Sequence, residues 1–314
     1  MTDAAYSVER VPVQVAAAPA APRPKLKDTW WRHIVALCAI AFALFPVVFV
    51  TSAAFNADDS VSGTSLLPTH ATLSNFHDIV AGTVKDKSSP GYVDAPFLRW
   101  YLNSMIVAGV AALLTVMLGA LAAYAFSRFR FKGRRVGMTS LLLIQMFPQF
   151  LAVVAIYLIV LHVGDVFGVI GLNTLPGLIL VYLGGALGVN AWLIKGFFDT
   201  IPSELDESAR VDGATAAQIF WGVVLPLAAP VLAVVGLISF VFTLNEFVLA
   251  SALLQTSHHF TLPVGMNGFI DQQYGQRWGP FAAGAVLIAI PPAMLFFFLQ
   301  RWIVSGLTQG AVKG

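Results

Sequence analysis

The 314-residue chain carries 18 Lys and Arg against 16 Asp and Glu, a formal net charge of +2, yet only 11% of its residues are charged and 58% are hydrophobic. A mean hydropathy of +0.79 and long unbroken apolar runs exclude an ordinary soluble surface, so the composition is that of a membrane protein. The single cysteine excludes a disulfide within one chain.

Residues 1–28, which include "VAAAPAAPRPKLKD", have no apolar period and read as a disordered tail. The apolar run that follows is too long for a cleavable signal and lacks a small-residue cleavage site before the next polar segment. Residues 29–314 then form one transmembrane domain. A spanning helix needs about 20 mostly apolar residues, because roughly 30 Å of hydrocarbon is crossed at about 1.5 Å per residue. Six stretches meet that requirement, approximately 33–54, 101–126, 137–161, 172–194, 223–249 and 280–300. The class is therefore all-α and polytopic, with Trp30 and Trp31 placed as interfacial anchors.

The basic residues set the orientation. With a cytoplasmic N-terminus, 14 of the 18 Lys and Arg fall in inside segments, and Lys85, Lys87, Arg99 and Arg277 are left outside. Both termini are then cytoplasmic. The inside loop "SRFRFKGRR" packs its positive charges into residues 128–135, where anionic lipid headgroups are the simplest partner.

The other inside loop has the opposite character. "SELDESARVDGATAAQIF", residues 203–220, has five charged side chains in its first ten positions. Between Lys195 and Asp212 the acids Asp199, Glu204, Asp206, Glu207 and Asp212 face two basic residues, a poor match to anionic lipid. Ser203 and Asp206 have the spacing of a capping box, so a helix is expected to begin there. Gly213 follows where a left-handed turn would end it. Thr215 and Gln218 repeat the box and open a second helix toward the membrane. On the first helix Leu205, Ser208, Ala209 and Asp212 fall at spacings of three and four and share one small face. Spacing alone leaves a solvated surface helix and a docking surface both open.

The outside loop, residues 256–279, is nearly neutral and rich in amide and aromatic groups. Its composition suits contact with a protein or a sugar, and a plain connecting loop is the alternative. Asn245 and Glu246 end the fifth stretch, with interfacial placement and a place on a transport pathway equally open. Gln145, Tyr157, Tyr182, Asn190 and Trp192 are further polar or aromatic groups available in spans. No Gly-Lys dipeptide occurs, so a phosphate-cradling loop is not expected in this chain. No His, Cys or carboxylate spacing calls for a metal, and no nucleophile and base pair stands out.

Glu207, Ala209, Gly213, Val223, Leu225 and Pro226 reproduce the pattern E-x-A, three residues, G, nine residues, I/V-x-L-P. This resembles the signature loop of the permease subunits of bacterial binding-protein-dependent ABC importers. Ser208 stands where that family usually has Ala. "NSMIVA", "GLNTLPGLILVYLGG", "LIKGFFDTIPSELDESARVDGAT" and "QRWIVSGLTQGAVKG" extend the resemblance over nearly all of the chain after the tail, and are most similar to the second permease subunit of maltose and maltodextrin importers. The resemblance implies a type I importer permease fold of six helices in the bacterial cytoplasmic membrane. Loop 196–222 would present a coupling helix to a separate ATPase, with Ser203, Leu205, Glu207, Ser208, Ala209, Asp212, Gly213 and Pro226 as its residues. It further implies a paralogous permease partner, two ATPase copies that bind ATP and Mg, a membrane-lipid surround and no nucleic acid. Thr261, Met266, Asp271 and Tyr274 would face an extracytoplasmic sugar-binding protein, and the "LTQGAVKG" tail would lie against the ATPase pair. A permease for another sugar or a glycerol phosphate, or a secondary carrier needing no ATPase, are the alternatives.

Overall fold

The computed structural model describes residues 26–57, 68, 70–85, 92–271 and 276–311. The chain divides into two units, Met1–Val47 and Val48–Gly314, a boundary inside the first helix rather than after the tail. The described part of the first unit is helical and apolar. Helix α1, Leu26–Phe55, already includes residues 26–28, which the sequence assigns to the tail.

In the second unit, α2 (Ser74–Ala81) leads into a short antiparallel pair, β1 (Thr83–Lys85) and β2 (Tyr92–Asp94), the only sheet among the described residues. Helices α3 (Phe97–Arg128), α4 (Arg134–Gln145), α5 (Val153–Val166) and α6 (Leu175–Phe198) follow. The loop helices α7 (Ser203–Val211) and α8 (Ala216–Ile219) come next. A π-helical turn at Phe220–Val224 leads to α9 (Leu225–Leu227), then α10 (Ala229–Leu244), α11 (Val248–Leu253), α12 (Leu262–Ile270) and α13 (Trp278–Ala311).

Among the described residues, four helical segments are long and apolar enough to cross a membrane: Trp30–Phe55, Phe97–Arg128, Leu175–Phe198 and Trp278–Trp302. The third and fifth expected stretches are broken. Arg134–Gln145 and Phe150–Val166 meet at 83°, and Ala216–Leu227 and Ala229–Leu244 at 77°. Each break sits beside a proline. Pro148 follows α4, and Pro226 and Pro230 flank the second bend. Proline removes a backbone donor and clashes with the preceding turn, so an apolar run containing one kinks or stops there. Counting each bent pair as one span gives six.

Helix α3 is the axis of the second unit and packs most extensively on α6, then on α10. Its buried stripe of Ala108, Ala111, Ala112, Gly119, Ala120 and Ala123 is made of small residues, which let helix backbones approach closely where lipid gives no hydrophobic drive to association. Three apolar clusters follow one another along it. Phe97 and Trp100 join Ile79, Leu262, Met266 and Phe269 at one end. Val107 and Ala111 meet Leu178, Tyr182, Leu249 and Leu253 in the middle. Ala120, Ala123 and Tyr124 meet Ile194, Phe198, Ile219 and Phe220 at the basic end.

Candidate functional site

The acidic loop leaves the basic end of α6 and is held from behind by α3. Helix α7 begins at Ser203, but Pro202 occupies the cap position and no side chain accepts a cap hydrogen bond. The expected Ser203–Asp206 box is therefore absent, because Asp206 is engaged elsewhere. Its carboxylate is buried, with Oδ2 2.8 Å from Arg128 Nε and the two side chains 3% and 9% exposed. The same guanidinium donates through Nη2 to the Ile201 carbonyl at 3.0 Å. One turn earlier on α3, Tyr124 Oη donates to the Ala216 carbonyl at 3.2 Å. Arg128 thus turns inward to the loop rather than outward to lipid headgroups. Beside it Asp199 accepts from Ser127 Oγ at 2.7 Å and pairs with Lys195. Desolvation pushes the Asp199 carboxyl up, but these hydrogen bonds outweigh it and hold the group below the ordinary carboxylate range.

The end of α7 follows the sequence. Gly213 has φ +85°, Gly213 N–H donates to Arg210 O at 3.0 Å, and Ala214 N–H to Ala209 O at 2.9 Å, the paired bonds of a Schellman turn. Thr215 and Gln218 form a complete capping box on α8. Pro226 lies in α9, just past the π-helical turn.

The predicted shared face divides. Ala209 packs with Ala214 on the core formed by Ala120, Ile194 and Phe220, whereas Leu205, Ser208 and Asp212 point outward with Ser203, Glu204 and Glu207. A residue that spacing did not single out joins them: Val211 is 89% exposed. Leu205 is exposed on the same helix as well. The signal available in the sequence was an isolated valine between Arg210 and Asp212.

At the opposite end the segment 256–271 is folded and not a plain loop. Trp100 Nε1 donates to Ser257 O at 2.8 Å, Asn103 Nδ2 to His258 O at 3.0 Å and to Phe260 O at 2.9 Å, and Ser104 Oγ accepts from Leu262 N–H at 2.7 Å. Thr261 and Met266 are consequently almost fully buried within this chain and not presented on its outer surface. Their burial depends on a partner face, Trp100 on α3, that is remote in sequence. Asp271 is exposed, and Tyr274 lies outside the described residues.

Between the broken third span, α6 and α10 lies a cleft of about 470 Å³. Gln145, Tyr182, Asn190, Ser239, Thr243 and Glu246 supply its polar groups against Phe147, Val181, Ile238 and Phe242. Tyr182 Oη donates to Glu246 Oε2, and the carboxylate also accepts from Leu249 N–H at 2.8 Å and Ala250 N–H at 3.0 Å. Tyr182 lies about 10 Å in from the Leu175 end of α6 at 1.5 Å rise per residue, so Glu246 is drawn into the bundle instead of resting at its boundary. Asn190 Nδ2 donates to Ser239 Oγ at 3.2 Å. Asn245 turns away, bonded to Val241 O, and lines a separate cleft with Leu262 and Met266. Trp192 faces another cleft with Arg134, Arg135 and Lys195, and Tyr157 lies beside Gln255. Among the described residues no group of three or more His, Cys, Asp or Glu converges to hold a metal.

A polytopic bundle, a helical loop anchored outside it, and a polar cleft within it define a transport permease, and residues 115–309 match the family described as the binding-protein-dependent transport system inner membrane component. The chain belongs to that family and is a permease subunit of an ABC importer. It is 41% identical over 271 residues to the galactooligosaccharides transport system permease protein GanQ of Bacillus subtilis, covering 86% of this chain and 90% of that one. It is 40% identical over 288 residues to the maltose/maltodextrin transport system permease protein MalG of Vibrio parahaemolyticus (91% and 96%), and 39% identical over 295 residues to MalG of Escherichia coli K12 (93% and 98%). In fold it is similar to a chain of a bacterial ABC transporter involved in the import of the acidic polysaccharide alginate, with a TM-score of 0.68 at 23% identity over 90% of this chain and 99% of that one.

Proposed function

We propose that this chain is one of two paralogous permeases of an ATP-driven importer for a neutral oligosaccharide of the maltodextrin or galactooligosaccharide kind. It lies in the bacterial cytoplasmic membrane with both termini inside. Two copies of a separate ATPase subunit bind ATP and Mg, and one receives the outward face of α7. An extracytoplasmic sugar-binding protein delivers substrate to the opposite end, where Asp271 is exposed and where the sequence also assigns Tyr274. Closure of the ATPase pair would swing α7 and, with it, the helices lining the cleft, exposing the cleft alternately to the two sides.

The observation that carries this reading is the surface of α7: Leu205, Glu207, Ser208, Val211 and Asp212 exposed together on a helix anchored from behind. The sugar rests on the permease relatives and on the cleft. Hydroxyl and amide groups over aromatic and aliphatic walls suit a neutral polyol. Glu246, the charged side chain in the lining, disfavours a glycerol phosphate, since like charges at close range in a medium of reduced dielectric repel strongly.

The test is uptake into vesicles that hold the assembled complex with its cytoplasmic face toward the lumen, with loaded binding protein outside and with or without ATP inside. Uptake that depends on ATP and is abolished by Glu207→Lys, with normal membrane insertion, supports the proposal. Uptake without ATP would assign a secondary carrier instead.

A further inference from the structure

We infer that the buried Arg128–Asp206 ion pair is the link through which movement of α7 drives α3, making Arg128 a positioning residue for transport. The inference rests on the reading that α7 docks an ATPase.

Arg128 is the last residue of α3, and nothing in the chain connects it locally to α7. Yet α3 holds the loop at three points: Ile201 O before α7, Asp206 within it, and Ala216 O after it. The first two come from one guanidinium, by a hydrogen bond to Ile201 O and a buried ion-pair contact to Asp206. A carboxylate held this way sets the register of α7 on α3, where apolar contact alone would permit sliding. Asp199, the C-cap of α6, pairs with Lys195 of the same helix and accepts from Ser127 of α3, and α6 continues into the loop through the chain itself, so α3 and α6 both meet the loop. Those two helices form the most extensive pair in the bundle, and α6 carries Tyr182 and Asn190 into the cleft.

Stability does not explain the pair. Burying two charges costs about as much as their attraction returns, and well-packed apolar replacements are often neutral. Here the compensation is incomplete, because neither oxygen of Asp206 nor Arg128 Nε makes a hydrogen bond, the 2.8 Å contact being an ion pair alone. A pair that adds little to folding, placed where the α7 loop meets the central helix, is accounted for by transmission.

The experiment uses the assembled complex in lipid, with Cys38→Ser and Ser208→Cys to report α7 docking by cross-linking to a cysteine in the ATPase cleft. Into this background go Arg128→Met/Asp206→Leu together, which remove the charges and keep the volume, and Asp206→Asn alone. Binding-protein stimulation of ATP hydrolysis, and ATP consumed per sugar imported, are read beside the cross-link and the melting temperature of the complex. For the double variant the inference expects cross-linking and melting temperature near those of the unsubstituted complex, with stimulation down by about tenfold, within the usual range of coupling between sites, and more ATP used per sugar; Asp206→Asn alone, which leaves the Arg128 charge buried without its partner, should lose stimulation to the same extent and also melt lower. Normal stimulation with normal cross-linking would overturn it. Cross-linking lost only in the pair variants would also overturn it, because the pair would then serve docking and not transmission. No cross-link before any change at the pair would instead refute the docking of α7, and the inference with it.

Discussion

Gly213 offers the sharpest test of the loop geometry. At φ +85° it is in the left-handed region, and a Cβ placed there meets nothing within 4 Å. Substitution therefore tests backbone strain alone, without a steric clash. Holding an L-residue in this conformation costs roughly 1–2 kcal/mol. Escaping it forfeits the bonds from Gly213 and Ala214 to Arg210 and Ala209, each contributing about 0.5–1.5 kcal/mol. The two routes are nearly matched, so Gly213→Ala should divide between a strained native turn and a redirected one that no longer aims Thr215 at the α8 cap. Asn visits the left-handed region more readily than other non-glycine residues and β-branched residues resist it. The expected order of binding-protein-stimulated ATP hydrolysis in the lipid-embedded complex is Gly213 above Gly213→Asn, above Gly213→Ala, above Gly213→Val, with membrane insertion equal throughout. Full stimulation in Gly213→Val would show that the left-handed turn is dispensable. Asn as damaging as Val would remove backbone strain as the cause.

Gly265→Ala should lower the melting temperature of the complex, because its Cβ would lie 2.2 Å from a Trp100 ring carbon and overpacking of this kind costs about 1–3 kcal/mol; Gly236→Ala, whose nearest neighbour is 3.5 Å away, should be tolerated, and equal melting temperatures would refute the α12–α3 packing. In a Cys38→Ser background, impermeant thiol reagents should label cysteines at Thr83 and Asp271 from outside intact cells and spare one at Gly133; labelling of Gly133 would reverse the orientation. Glu246→Gln and Tyr182→Phe should each slow sugar uptake several-fold in the order of the groups lost, and unchanged uptake in both would remove the cleft from the pathway. Because Asp199 titrates below the ordinary carboxylate range, its folded-state contribution is complete above about pH 4 and disappears only as pH falls through the lower folded value; uptake measured between pH 6 and 8 should therefore show no step that Asp199→Asn removes.

The sequence by itself determined whatever depends on neighbours along the chain. Spans follow from apolar length, since each helix satisfies its own backbone in lipid, and the left-handed Gly213 and the Thr215–Gln218 box are local devices. Even the broken spans were announced by Pro148, Pro226 and Pro230, although apolar length alone joined their halves. Tertiary structure decided what depends on a remote partner. Asp206 belongs to a charge run that reads as solvated, and only the end of α3, brought to it by packing, makes it a buried ion pair. Thr261 and Met266 read as a polar outside loop until Trp100 and Ser104 claim that segment for the core. Glu246 became part of a cleft because α10 stops short and turns, setting its carboxylate against Tyr182 of α6. In each case a local pattern gives a side chain its chemistry, and the environment that decides whether that chemistry is exposed, paired or lining a path comes from helices far apart in the chain.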